Sequence, residues 1–417
     1  MSAFVRTIKI SIITSIITGA GILALGTQSL QARDYGARGQ QSGYTKLVYA
    51  IYNDLHNNAQ NLQNSVKSLL DTPNDITLKA AKEAWLQTHK TYNHSKSFLS
   101  YNGPADFYNN KTGERGPAWK MDAWPIYEQF IDYNTEPSSK LSLIENTSIP
   151  LTEDTITALH MRDDESEITL GLHVIEFLLW GQDLSPHDPG NRPAADYTAG
   201  DPINDRRRTY LKLVTDIFLK DTTTLTTAWA PKKDNYAAAF RRLEQGDALR
   251  LIFKGLEGLS GFELSGKMMG SGMIAGFEED EESRFSDNTH NDLLDALKSL
   301  ESVYFCRYKG LECRSLHELM QNFDIEMANN IEVQFDTVRL AIKAIPTPLD
   351  YEVMRKPNSN KYLPIPKSHE GRIKLEAAMR EVIRLHVFFW QAATKIGVMQ
   401  WSPDIEFRYQ INDKLEQ

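Results

Sequence analysis

The chain has 417 residues, 41% of them hydrophobic and 24% charged, with a formal net charge of −9. That length allows two domains with substantial cores. The acidic balance speaks against nucleic acid as a partner and makes an anionic membrane surface a poor one.

At the N-terminus, Arg6 and Lys9 precede an uncharged apolar run from Ile10 to Leu25, and small residues lead on to LQA at Ala32. This is the order of a secretory signal, so residues 1–32 are expected to be a signal peptide cleaved near Ala32–Arg33. A retained anchor is the other reading, weakened by a short run that contains Gly and Thr. Removing residues 1–32 takes away two positive charges, which moves the net charge from −9 to −11. The expected location is the periplasm or an outer-membrane-associated part of the cell envelope.

Helical periodicity dominates the rest of the chain. Leu47, Ile51, Leu55, Leu62, Val66 and Leu69 recur at threes, fours and sevens over 44–70. Pro73 places a turn before a second helix near 76–100. AWPIYEQFIDY (123–133) is a short apolar segment in a loop-rich stretch, and a helix is expected from about Glu167 to Trp180. Residues 184–205, rich in Pro, Gly and Asp, form the clearest linker. Helical patterns then cover about 204–229, 234–269, 288–308, 324–344 and 370–397. Alternating β-branched runs are almost absent, so no sheet is expected. The expected fold is all-α: two helical-bundle domains side by side, 33–195 and 196–417.

The two cysteines, Cys306 and Cys313, stand in CRYKGLEC. In an oxidising compartment they are expected to form a short-loop disulfide, free thiols being the other reading. Two cysteines alone cannot build a structural zinc site.

Two stretches carry polar groups that suggest chemistry. In GLHVIEFLLWGQD (171–183), His173 and Glu176 are three apart, so they share one face of an apolar, buried helix. The order is not HExxH, and GxSxG and the P-loop are absent. FEEDEESRFSDNTHNDLLDAL (277–297) packs acids into Glu278–Glu282 and opens a helix through SDNTHND. A solvated loop and a helix cap explain that pattern; the functional reading adds Ser286, Asp287 and His290 as convergent polar groups.

Taken together, these stretches resemble the imelysin family. GLHVIE is similar to its GxHxxE signature, and EDEESRFSDNTHND to the EDEHSCFSDNTH segment of the iron-regulated protein A branch. AWPIYEQFIDY, RRTYL (207–211) and FELSGKMM (262–269) resemble further blocks, the last being similar to GELAGERM. The resemblance spans roughly Trp85 to the C-terminal helix. It implies an exported two-domain helical protein of bacterial envelopes, linked to iron acquisition, in a family catalogued as metallopeptidases. His173 and Glu176 carry over from GxHxxE, and Ser286 and Asp287 from FSDNTH. Gly171 would permit close approach of a neighbouring helix.

Three departures stand out. After Trp85 and Tyr92 the family has an acid and an arginine, where this chain reads SKSFLS with Lys96 and Leu99. GERM becomes GKMM, bringing in Lys267, and the Cys of HSCF becomes Arg284. If position 96 faces the His173–Glu176 helix, Lys96 brings an ammonium towards Glu176.

Three readings are open. In the first, His173, Glu176 and Asp287 bind iron or zinc, with Glu263 or Asp122 as further candidate ligands. In the second, a metallopeptidase uses Glu176 as catalytic base. In the third, His173 and Glu176 bond to Ser286 and Lys267 without metal, in a protein that binds another envelope ligand or protein partner.

Overall fold

In the computed structural model, residues 35–133, 141–274, 281–354 and 366–399 are described. The expected signal peptide lies outside them, as do Glu278–Asp280 of the acidic run. The described residues all belong to one compact unit.

The periodic segments are helices. α1 (Arg38–Asp71) buries Leu47, Ile51, Leu55, Leu62, Val66 and Leu69, the stripe expected from spacing. Asn74 caps α2 (Asp75–Asn93) in a reciprocal capping box with Thr77, which explains the sharp restart after Pro73. α2 stops short of its expected end; a 3₁₀ turn, Lys96–Phe98, comes next. Short helices α3 (Ala118–Met121), α4 (Glu128–Ile131) and α5 (Glu153–Leu159) punctuate the loop-rich stretch before α6 (Leu172–Trp180). Asp201 caps α7 (Pro202–Trp229), with Pro202 in the first turn.

The long helix expected over 234–269 is broken. It is observed as α8 (Tyr236–Arg242), α9 (Gln245–Glu257) and a wider π-helical stretch, Gly258–Ile274. Apolar residues continue through these breaks, and in the π-helical stretch the buried positions fall five and four apart, at Leu259, Leu264, Met268 and Met273. α10 (Thr289–Phe305) leads into a two-strand hairpin, Arg307–Tyr308 with Leu311–Glu312, the small exception to the expected absence of strands. α11 (Leu316–Phe323), α12 (Ile325–Lys343) and α13 (Glu370–Ile396) complete the described chain.

Helices α1, α2, α6 and α7 pack on one another, and α9, the π-helical stretch, α12 and α13 form a second group. α10 touches both groups, and the 96–98 turn packs on α9 and α10 while its Phe98 ring meets Tyr44 and Tyr52 of α1. Among the described residues, no helix is long and apolar enough to cross a membrane.

Cys306 and Cys313 are disulfide-bonded across the hairpin, with Cα atoms 5.4 Å apart. A loop this short restricts the unfolded chain by about 2.5 kcal/mol. Reducing the bond, or replacing both cysteines by serine, should lower unfolding stability by about that amount in urea titrations, with the linked peptide seen in non-reducing mass mapping.

Two buried histidines stay neutral at pH 7. His160 accepts a backbone N–H from Thr169 at 3.1 Å, and His386 lies against Ser260. Burial pushes both down to about 4 from the ordinary histidine value of 6.5. Between those values the unfolded chain takes up protons that the folded chain does not, so stability falls as pH drops through the window. The loss is at most roughly 3 kcal/mol per ring by pH 4. Melting temperatures should therefore fall less steeply from pH 6.5 to 4 in His386→Gln than in the wild type.

Candidate metal centre

All nine residues of α6 are buried, so its two polar side chains must find partners inside the protein. They find each other first: His173 Nδ1 lies 2.8 Å from Glu176 Oε2. Glu176 Oε1 accepts the backbone N–H and the hydroxyl of Ser286 at 2.9 and 2.7 Å. The other imidazole nitrogen is thereby turned towards Asp122, with His173 Nε2 3.3 Å from Oδ1.

A second arm repeats this arrangement from α2. His89 Nε2 lies 3.2 Å from the same Asp122 Oδ1, and its Nδ1 lies 3.0 Å from Asp292 Oδ1 on α10. Asp292 Oδ1 is also held by the side-chain amides of Asn93 and Asn288, at 2.8 Å each. Trp85 stacks on His89 with ring centroids 4.7 Å apart and donates its indole N–H to the Leu172 carbonyl at 2.7 Å. One aromatic ring thus ties α2 to the start of α6 and fixes the plane of His89.

Gly171 brings Asp122 into reach. Its φ is +103°, and a Cβ there would lie 2.4 Å from the Lys120 carbonyl oxygen. Only glycine tolerates both that backbone conformation and that approach.

A cation already sits beside Asp122. Lys96, on the 3₁₀ turn, places Nζ 3.0 Å from Asp122 Oδ2, pairs with Glu282, and lies 4.0 Å from Glu263. Gly255 of α9 permits this turn to come close, since a Cβ there would lie 2.1 Å from the Ser97 carbonyl oxygen.

Burial opposes charge on His173, His89, Lys96 and Asp122, and proximity reverses the outcome there; at Glu282 burial wins, and its carboxyl is raised above the ordinary value in spite of Lys96. Against burial, Asp122 and Glu176 hold His173 up to about 9. Against burial, Asp292 and Asp122 keep His89 well above the ordinary histidine value. Lys96 is raised by Asp122, Glu282 and Glu263 despite its burial, while Lys96 and the two histidines hold Asp122 well below the carboxylate range despite its own.

His89, Asp122, His173 and Glu282 each offer a donor atom, and these four atoms lie within 4.8 Å of one another. Two imidazoles and two carboxylates suit zinc or iron. The separations of 3.2 and 3.3 Å from Asp122 Oδ1 to the two Nε2 atoms match the roughly 3.3 Å between ligands of a tetrahedral ion with bonds near 2.0 Å. Within this group and among the described residues, Glu282 Oε2 is buried without a hydrogen bond, and His173 Nε2 has only the 3.3 Å approach to Asp122 Oδ1. The residues present fit a metal ion.

Several expected residues are placed differently. His173 belongs to the centre, but Glu176 stands behind it and orients its ring instead of joining the four donors. Ser286 reaches Glu176 as expected. Asp287 does not join His173; it groups with Asp183 and Asp350, in a second set of carboxylates within 4.8 Å of one another. Beside that set, burial pushes Glu281 up to about 7. Lys267 lies over the Trp124 ring at 4.1 Å instead of bonding to Glu176. The Lys96 ammonium goes to Asp122 and Glu282, not to Glu176. Arg284 pairs with Glu128 at 3.0 Å. His89, Glu282 and Asp292 were not anticipated as part of the site. The usable signal for His89 was its spacing, four residues after Trp85 and three before Tyr92, on the buried face of α2.

The imelysin family model matches residues 48–386, and the chain belongs to that family. It is 25% identical over 315 residues to iron-regulated protein A of Synechococcus elongatus, covering 73% of this chain and 74% of that protein. Its fold is shared with a crystal structure assigned as an iron-regulated protein A precursor from Parabacteroides distasonis. That match has a TM-score of 0.64 at 17% identity and covers 88% of this chain and 97% of the other.

Gly171→Ala should separate Asp122 from His173. The expected loss is at least about 2 kcal/mol of stability, because a side chain is strained at positive φ and the carbonyl contact must open. Chemical denaturation measures it, and an unchanged midpoint would contradict the close approach.

Proposed function

We propose that this protein is exported to the cell envelope and handles iron by binding one metal ion at His89, Asp122, His173 and Glu282. The observation that carries the reading is the convergence of four buried donors, with each imidazole backed by a carboxylate at its other nitrogen. Carboxylate-backed histidine is the usual support for a metal-ligating imidazole: it sets the tautomer and raises ring basicity. Glu176 and Asp292 fill that role here, and Ser286, Asn93 and Asn288 hold them in place. Iron, with zinc as the alternative ion, is favoured by the names of the relatives together with the mixed nitrogen and oxygen donors. The N-terminal signal pattern supports export.

The peptidase reading has less support from the geometry. A general base needs a carboxylate free to take a proton within reach of substrate. Glu176 is fully buried, and its oxygens are taken by His173 and Ser286.

Calorimetric titration of chelator-free protein with ferrous and zinc salts tests the proposal. One ion should bind per chain, and His89→Ala combined with His173→Ala should abolish the heat. Binding unaffected by that pair of substitutions would place the ion elsewhere.

A further inference from the structure

We propose that Lys96 is a built-in competitor for the metal, and that an ion enters the centre by moving its ammonium from Asp122 and Glu282 onto Glu263. This inference rests on the metal-binding reading above. Lys96 contacts two of the four candidate ligands, Asp122 and Glu282, and its side chain is almost wholly buried. An ammonium and a metal ion would both draw on those carboxylates, and two uncompensated cations cannot share a dry pocket without large cost. The ammonium therefore has to yield.

Glu263 gives it somewhere to go. It stands 4.0 Å from Nζ, on the π-helical stretch, and its side chain is 23% exposed whereas Glu282 is 0% exposed. A lysine has enough rotatable bonds to shift by this distance while its stem stays packed. The other two donors are His89 and His173, and neither is a carboxylate able to take over the lysine. The arrangement makes the resting centre charge-paired without metal, and it makes binding weaker and more readily reversed than four free ligands would give.

The test compares zinc and ferrous titrations of wild type, Lys96→Met, Glu263→Gln and the double variant, with melting temperatures measured with and without zinc. Lys96→Met removes the charge and keeps an unbranched side chain only one atom shorter. It should bind at least tenfold more tightly than wild type, melt lower without zinc because Asp122 and Glu282 lose their counterion, and gain more from zinc. Glu263→Gln should weaken binding in the wild-type background and change nothing in the Lys96→Met background. Equal affinity of wild type and Lys96→Met would overturn the competitor role and leave the metal centre standing. No binding by either protein would overturn the metal reading, and the inference with it. Should Lys96→Met fail to fold, Glu263→Gln alone decides: its partly exposed position tolerates the change, and undiminished affinity would refute the proposed route.

Discussion

A single buried carboxylate organises the heart of this protein. Asp122 meets two imidazoles at one oxygen and an ammonium at the other. An isolated carboxylate in such surroundings would cost many kcal/mol, and removing one partner of a buried pair typically costs about 3–5 kcal/mol. The partners come from α2, α6 and the 96–98 turn, so the requirement to neutralise Asp122 also positions those three elements. Its own segment is brought in by the backbone contact at Gly171.

Around this carboxylate the polar groups fall into layers with separate tasks. His89 and His173 face inwards because Asp292 and Glu176 occupy their other nitrogens. Ser286, Asn93 and Asn288 then hold those two carboxylates. In this chain the glutamate of GxHxxE is therefore a positioning residue, and the histidine is the group presented to the centre. The FSDNTH segment contributes through Ser286, which locks Glu176 across more than a hundred residues of sequence. Local charge is balanced by Lys96 and by two histidines held in the charged form at neutral pH.

Much of the fold was readable from spacing. The stripe of Leu47, Ile51, Leu55 and Leu62 predicted α1, and the ends of α12 and α13 fall within a residue or so of the patterns over 324–344 and 370–397. The break at Leu243–Glu244 and the widening from Gly258 onward were not readable, because apolar residues continue through both without a proline to mark them. At the site, His173 and Ser286 were legible from short motifs. His89 was hidden in an ordinary amphipathic pattern, and Glu282 in a run of acids that resembles a solvated loop.

What the sequence determined by itself was local: helices wherever apolar residues recur at threes and fours, and a buried His–Glu pair because positions i and i+3 share a face. It also specified a glycine where the backbone must turn through positive φ, although not what that turn would touch. Only the tertiary structure decided which carboxylate meets which histidine, since Asp122, Glu282 and Asp292 lie between tens of residues and about two hundred residues from their partners. Such pairings depend on how helices cross, and crossing is set by packing over whole surfaces and not by any local pattern. The direction taken by Lys96 was decided in the same way. Its sequence neighbours allow an ammonium to point anywhere, and the pair of buried carboxylates at Asp122 and Glu282 drew it inwards.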